Sequence, residues 1–153
     1  MLDAKLVFCE AMATGTITHN DALPIDEAVT NLKVATNVID LGDTATATRD
    51  GGDKADGTPL MLDIFCTTQV VGANSLTYFK LMSCATVDGT YRDLICSDLF
   101  LPAELAPNKD PILTLNIPGG VLGAKRFLKL FIGAITADVT AGAFTAVIRP
   151  LTH

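Results

Sequence analysis

Short runs in which apolar and polar side chains alternate, each ended by Gly, Pro, Asn or Asp, dominate this chain. A period of two places the apolar side chains on one face of an extended strand. In the clearest run, residues 127–132, the side chains of Leu128, Leu130 and Ile132 share one face, and Lys129 belongs to the other. Such runs predict a chain built of β-strands.

The runs predict an all-β sandwich of about eight strands. Seven segments are typical of strands, at residues 4–10, 37–41, 60–66, 76–83, 113–117, 127–132 and 143–149, with weaker candidates at 14–18 and 94–99. Their number and spacing suit a sandwich or a barrel. Helical signals are limited to residues 23–29 and 102–105, where a proline suits the start of a short helical turn.

The chain has the size and continuity of one domain. At 153 residues, about 70% of the unfolded surface can be buried around a single core. Residues 42–57 are rich in Gly and Asp and lack apolar anchors, which predicts an exposed loop. Because no segment is typical of a linker and no repeat is present, we expect one domain over residues 1–153.

The composition is apolar for a soluble protein. Hydrophobic residues make up 49% of the chain and mean hydropathy is +0.40, while charged residues fall to 18% against a usual figure of about 25%. Either the core is large or partners cover apolar surface. No run approaches the roughly 20 apolar residues of a membrane span, and the first residues lack the pattern of a secretion signal. We therefore expect a soluble protein without a membrane partner.

Net charge and the cysteine positions limit the functions that this chain can have. The formal net charge of -6 disfavours nucleic-acid binding, because the average surface repels phosphate. Cys9, Cys66, Cys84 and Cys96 form no C-x-x-C pair. They are expected to be reduced thiols packed as small hydrophobic side chains, as in a reducing cytoplasm.

Metal and phosphate motifs are incomplete. Asp50, Asp53 and Asp56 do not have the spacing of a calcium-binding EF-hand loop, whose twelfth position is Met61 here, so a solvated acidic loop is expected. The glycine-rich residues 119–126 lack the Gly-Lys-Ser/Thr ending of a phosphate-binding loop. Neither segment predicts a metal or cofactor site.

Catalytic patterns are also missing. No serine lies in a G-x-S-x-G setting, and the histidines are His19 and His153. A partnership of His19 with Asp21 and a distant cysteine stays open, although a polar loop accounts better for His19. We therefore expect a protein that is not an enzyme.

One local basic cluster stands out in this acidic chain. Lys125, Arg126 and Lys129 either deter edge pairing of a strand or meet an acidic patch on a partner, and the sequence favours neither. The N-terminal arm, with Leu2 and Lys5, has the character of a segment that adds a strand to a partner sheet. These five residues are the candidate contacts to a partner or to another copy.

Several short stretches, spread almost from end to end, share one resemblance. They are residues 3–12, 35–42, 56–60, 118–120 followed by 125–130, and 140–146. Together they resemble the capsid cement, or head decoration, proteins of short-tailed bacteriophages of the Bordetella-phage type. The chain departs from that pattern at residues 13–35, which read as an insertion.

The resemblance implies a jelly-roll β-sandwich without enzymatic activity or cofactor. It also implies homo-oligomers, dimers or trimers, that are made in the host cytoplasm and bind the outer surface of the capsid. There they would bridge neighbouring major capsid proteins, with neither nucleic acid nor membrane as partner.

Three alternatives are weighed against this interpretation. Another virion jelly roll, such as a head fibre base or a tail-associated module, is the nearest. A carbohydrate-binding sandwich is disfavoured because aromatic residues make up only 6% of the chain and Trp is absent. A cupin-type enzyme is disfavoured because two distant histidines cannot supply a cluster of metal ligands.

Overall fold

The computed structural model describes residues 6–19, 32–41, 60–117 and 126–150. These ranges contain nine strands, one turn of 3-10 helix and no α-helix, so the all-β prediction is confirmed. The strands are β1 Val7–Ala13, β2 Lys33–Val34, β3 Ile39–Asp40, β4 Leu60–Val71, β5 Leu76–Cys84, β6 Arg92–Cys96, β7 Leu113–Ile117, β8 Phe127–Ile135 and β9 Ala141–Pro150. The 3-10 turn is Pro102–Glu104.

The strands form two antiparallel sheets. The first sheet has the order β1-β9-β4-β7, and the second has the order β2-β8-β5-β6, with β3 also paired to β8. All seven main strand predictions correspond to a strand, and the weaker candidate at 94–99 overlaps β6. The candidate at 14–18 is wrong, since only Ile17 forms a single bridge, to Val139. The two-residue strand β2 was not predicted.

The remaining predictions concern the helical signals, the exposed loop and the insertion. The helical signal at 102–105 corresponds to the 3-10 turn. The helical signal at 23–29 and the predicted loop at 42–57 lie outside the described residues, as do residues 20–31 of the predicted insertion.

The strand pairing is nested along the chain. β1 pairs with β9, β2 and β3 pair with β8, β4 pairs with β7, and β5 pairs with β6. The first half of the chain therefore pairs with the second half in reverse order, as in one long hairpin folded over on itself. Two further pairings, β4 with β9 and β5 with β8, join these pairs into sheets.

A single apolar core fills the space between the sheets. Phe79 of β5 meets Phe144 of β9 edge to face, with ring centroids 5.1 Å apart, and Phe79 also contacts the Phe100 ring. The alternating residues Leu128, Leu130 and Ile132 of β8 are buried in this core, as their spacing predicts. The described strands of both sheets thus share one set of buried side chains.

The outward side of β5 is buried as well. Tyr78 and Lys80 are about as inaccessible as the core residue Phe79, although they point to the opposite face. Tyr78 lies opposite Gly133 of β8, and its ring covers that glycine so closely that a Cβ there would clash with Tyr78 Cζ. The absence of a side chain at position 133 therefore makes room for the tyrosine ring.

The substitution Gly133→Ala is expected to lower the free energy of unfolding by about 1–3 kcal/mol, the usual cost of overpacking. Replacing Tyr78 by Leu in the same chain should remove part of that cost, because the two positions share one space. Denaturant titration of the two single variants and the double variant measures the coupling. Additive effects would show that the ring does not depend on the glycine.

Thr77 offers a second test of the core. Its side chain is fully buried, and its hydroxyl has no hydrogen-bond partner among the described residues. The near-isosteric substitution Thr77→Val removes this unsatisfied group and should raise the free energy of unfolding by about 1 kcal/mol.

Thr145→Val is the matched control, because Thr145 Oγ1 accepts a hydrogen bond from the Ala11 backbone N–H at 2.9 Å. That variant should be destabilised. Thermal melts in which both valines shift stability in the same direction would contradict the assignment.

Candidate protein-binding surface

The five predicted contact residues are only partly within the described structure. Leu2, Lys5 and Lys125 lie outside the described residues. Arg126 directly precedes β8, and Lys129 lies within it.

Arg126 is held by residues of its own chain. Its Nε and Nη2 atoms donate hydrogen bonds of 2.8 and 2.9 Å to the two carboxylate oxygens of Asp40. Its guanidinium carbon lies 4.9 Å from the centroid of the Phe127 ring. A bidentate pair fixes the orientation of the arginine, and it links the edge strand β3 to β8. The charge of Arg126 is therefore balanced within the subunit.

Lys129 projects from the outward face of the second sheet. Its ammonium group lies 4.4 Å from the centroid of the Tyr91 ring, whose hydroxyl donates to the backbone oxygen of Val87. Burial raises the pKa of Tyr91, with smaller contributions from Cys84 and Asp88. Because β8 is paired on both sides, Lys129 protects no sheet edge, and that interpretation of the basic cluster is wrong for this residue.

The structure adds a cation that the sequence did not single out. Lys80 of β5 is 1% exposed, and its Nζ lies 3.0 Å from Oδ2 of Asp93 on β6. A buried ammonium group needs such a partner, because desolvation would otherwise disfavour its charged form. A lysine in the middle of an apolar strand was the only sequence feature that indicated a buried cation. The sequence could not identify its partner, because Asp93 lies on another strand.

The first sheet holds a comparable polar group. Asp63 of β4 is nearly buried, and its carboxylate accepts a 2.8 Å hydrogen bond from Thr114 Oγ1 on β7. Arg149 of β9 donates to the other carboxylate oxygen. These contacts join three neighbouring strands on one face.

A groove opens along the side of the sandwich at β1. It has a volume of about 380 Å³, and the described residues that line it are Val7, Cys9, Glu10, Thr36 and Asn37. β1 is an edge strand of the first sheet, and residues 36 and 37 belong to the connection between β2 and β3 of the second.

Asn37 joins the two walls of this groove. Its backbone N–H donates to the Phe8 oxygen at 2.8 Å, and its side-chain amide donates to the Val7 oxygen at 3.1 Å. The connection between β2 and β3 is thereby tied to the first part of the β1 edge. The groove continues to Cys9 and Glu10.

The cysteines divide into two kinds. Cys9 and Cys66 are buried in the core, so the prediction of packed thiols is confirmed for them, and burial raises the pKa of both thiols. Cys84 is half-buried and Cys96 is exposed, so the packing prediction is wrong for these two. All four are free thiols.

His19 contacts an acidic residue other than the one considered from the sequence. Its backbone N–H lies 2.8 Å from Asp138 Oδ1, and its Nδ1 lies 2.5 Å from the same oxygen. Asp21 lies outside the described residues, as do Asp50, Asp53 and Asp56. Among the residues that the structure describes, no three His, Cys, Asp or Glu side chains are grouped to hold a metal ion.

No protein-family model matches this chain, and no curated protein matches it significantly. No helix within the described ranges is long and apolar enough to cross a membrane.

The Asp138 contact predicts an acid-dependent change in stability. Hydrogen bonding to the His19 backbone and side chain lowers the pKa of Asp138 below its ordinary value of 3.8. A carboxyl group with a depressed folded-state pKa stabilises the fold above its unfolded-state pKa, and this contribution is lost as pH falls through the folded-state value. The melting-temperature difference between the native chain and Asp138→Asn should therefore be largest above about pH 4 and shrink on acidification.

Asp98→Asn is the control, since Asp98 is an exposed carboxylate whose side chain has no hydrogen bond among the described residues. A difference for Asp138→Asn that is constant with pH, or that grows below pH 4, would contradict the assigned contact.

Proposed function

We propose that this chain is a structural virion protein, a capsid cement protein that binds the outside of a tailed-phage head. It would clamp neighbouring major capsid subunits and add strength to a shell that is already closed. The proposal rests on the sequence resemblance together with one structural observation, the nested pairing of the strands.

The nested pairing supports a jelly-roll assignment for the sandwich. A jelly roll results when a long antiparallel hairpin wraps into two facing sheets of four strands each. Here β1-β9-β4-β7 faces β8-β5-β6, with the short strands β2 and β3 sharing the fourth position. This order agrees with the fold that the resemblance implies.

Three of the stretches that carry the resemblance overlap strands of the scaffold. Residues 3–12 overlap β1, residues 35–42 include β3, and residues 140–146 overlap β9. Strands packed on a shared core hold contact residues in fixed positions, which a repeated joint between capsid subunits requires. A binding role of this kind needs no catalytic residue and no cofactor.

The surface of the chain suits many modest contacts. Large apolar side chains are exposed at several separate places, among them Val34, Val38, Val71, Leu99 and Leu101. Contacts with the capsid and with further copies in a dimer or trimer would cover such side chains. A few kcal/mol at each joint is sufficient, because a closed shell repeats the joint many times.

The net charge favours the outer surface of the head. At -6 per chain, a layer of this protein on the inside would repel packaged DNA. The basic side chains of Lys5, Lys125, Arg126 and Lys129 remain the proposed contacts to acidic groups of the major capsid protein, and Leu2 remains a proposed apolar contact. Since Asp40 already balances Arg126, Lys129 is the stronger candidate of the two described residues.

Deletion of the gene tests the proposed function. Heads should assemble in normal yield, because the shell closes by contacts of its own subunits, but they should lose infectivity faster on heating. Binding only to the assembled shell stabilises that state by mass action. Head yield by electron microscopy and survival after a heat step are the two measurements.

Expression of the native chain in trans should restore heat resistance, which controls for effects on neighbouring genes. Heads that survive heating normally without the protein would contradict the proposal. An absence of heads would contradict it too, since it would indicate a role in assembly.

A further inference from the structure

The groove at β1 joins two stretches that the sequence resemblance picked out separately. Val7, Cys9 and Glu10 belong to residues 3–12, whereas Thr36 and Asn37 belong to residues 35–42. These stretches lie in different sheets, and Asn37 hydrogen-bonds them together. Their meeting is a product of the fold and is not visible in the order of the residues.

The dimensions of the groove favour a short segment of chain as its occupant. A volume of about 380 Å³ is within the range of roughly 300–1,000 Å³ typical of sites for small ligands, and it holds a few residues but not a folded domain. One wall is an edge strand, and edge strands present backbone groups with which an extended segment can pair. Asn37 occupies the carbonyls of Val7 and Phe8, which leaves the Glu10 end as the point of entry.

The charge of the groove favours a basic occupant. Glu10 is exposed and contributes a carboxylate, which only accepts hydrogen bonds, and Thr36 contributes an exposed hydroxyl. None of the described residues that line the groove carries a positive charge. Hydrogen bonds between a carboxylate and a lysine or arginine are stronger than neutral ones.

We infer that this groove binds an extended segment of a partner protein that carries a Lys or Arg side chain, with the cation beside Glu10. The inference rests on the proposed function and deepens it, since it specifies the kind of capsid segment that would dock and the place where it docks. It adds a contact at the side of the sandwich at β1, separate from the outward face that carries Lys129.

Substitutions at two positions of the groove test the inference. Glu10→Gln keeps the shape and removes the charge, and Thr36→Arg fills the groove with a bulky cation. Each should weaken binding by about tenfold, the effect of losing one charge-assisted contact. Glu10→Lys, which reverses the charge, should weaken binding further.

Matched controls separate the groove from general effects. Asp98→Asn removes one exposed carboxylate beyond β6, at the opposite edge of the second sheet, and Thr67→Arg adds the same bulky cation at an exposed position on β4. Both should bind as the native chain does. The far-ultraviolet circular dichroism and melting temperature of every variant establish that it folds; should Thr36→Arg fail to fold, Glu10→Gln decides alone.

The measurement is a titration of heads, purified from phage that lack the gene, with fluorescently labelled protein, followed by sedimentation. Weakened binding of the groove variants alone supports the inference. Equal binding of all variants overturns it and leaves the proposed function standing, whereas failure of the native chain to bind overturns both. Size-exclusion chromatography of the free protein reports its oligomeric state. If a groove variant has a different oligomeric state from the native chain, the occupant is a second copy of this chain, and the inference is also overturned.

Discussion

The pairing of β1 with β9 joins the first and the last of the described strands, and the other strand pairs are nested inside it. It places Val7 opposite Val147 and closes a chain in which each earlier strand pairs with a later one. This pairing flanks β9 by β1 and β4, while β4 is flanked by β9 and β7 and β5 by β8 and β6, and the two sheets enclose a single core. Because such contacts join residues far apart in the sequence, they form at a high cost in chain entropy and depend on the core for their stability.

Most strands were predictable because one face of each is buried. In residues 60–66, the alternating residues Leu60, Leu62 and Ile64 are all buried in the core. The short strand β2 was not predicted because two residues cannot show a period. Residues 14–18 were wrongly predicted as a strand because a composition typical of strands does not ensure pairing.

The polar contacts were not predictable from the sequence. Arg126 and Asp40 are 86 positions apart, as are Arg149 and Asp63, so no local spacing indicates either pair. These pairs reduce the positive charge that is available to a partner. Lys80, Arg126 and Arg149 each have a carboxylate of the same subunit beside them. The basic cluster of Lys125, Arg126 and Lys129 therefore offers a partner less positive charge than its sequence indicates.

The proposed function requires this chain to be a stoichiometric component of the outer capsid surface. Quantitative mass spectrometry of purified, DNA-filled heads, before and after mild protease treatment, tests it most directly. A capsid cement protein should be present in a fixed ratio to the major capsid protein, and protease should reach it while the DNA stays protected. Heads that contain none of this protein, or only a variable trace that washing removes, would contradict the proposed function.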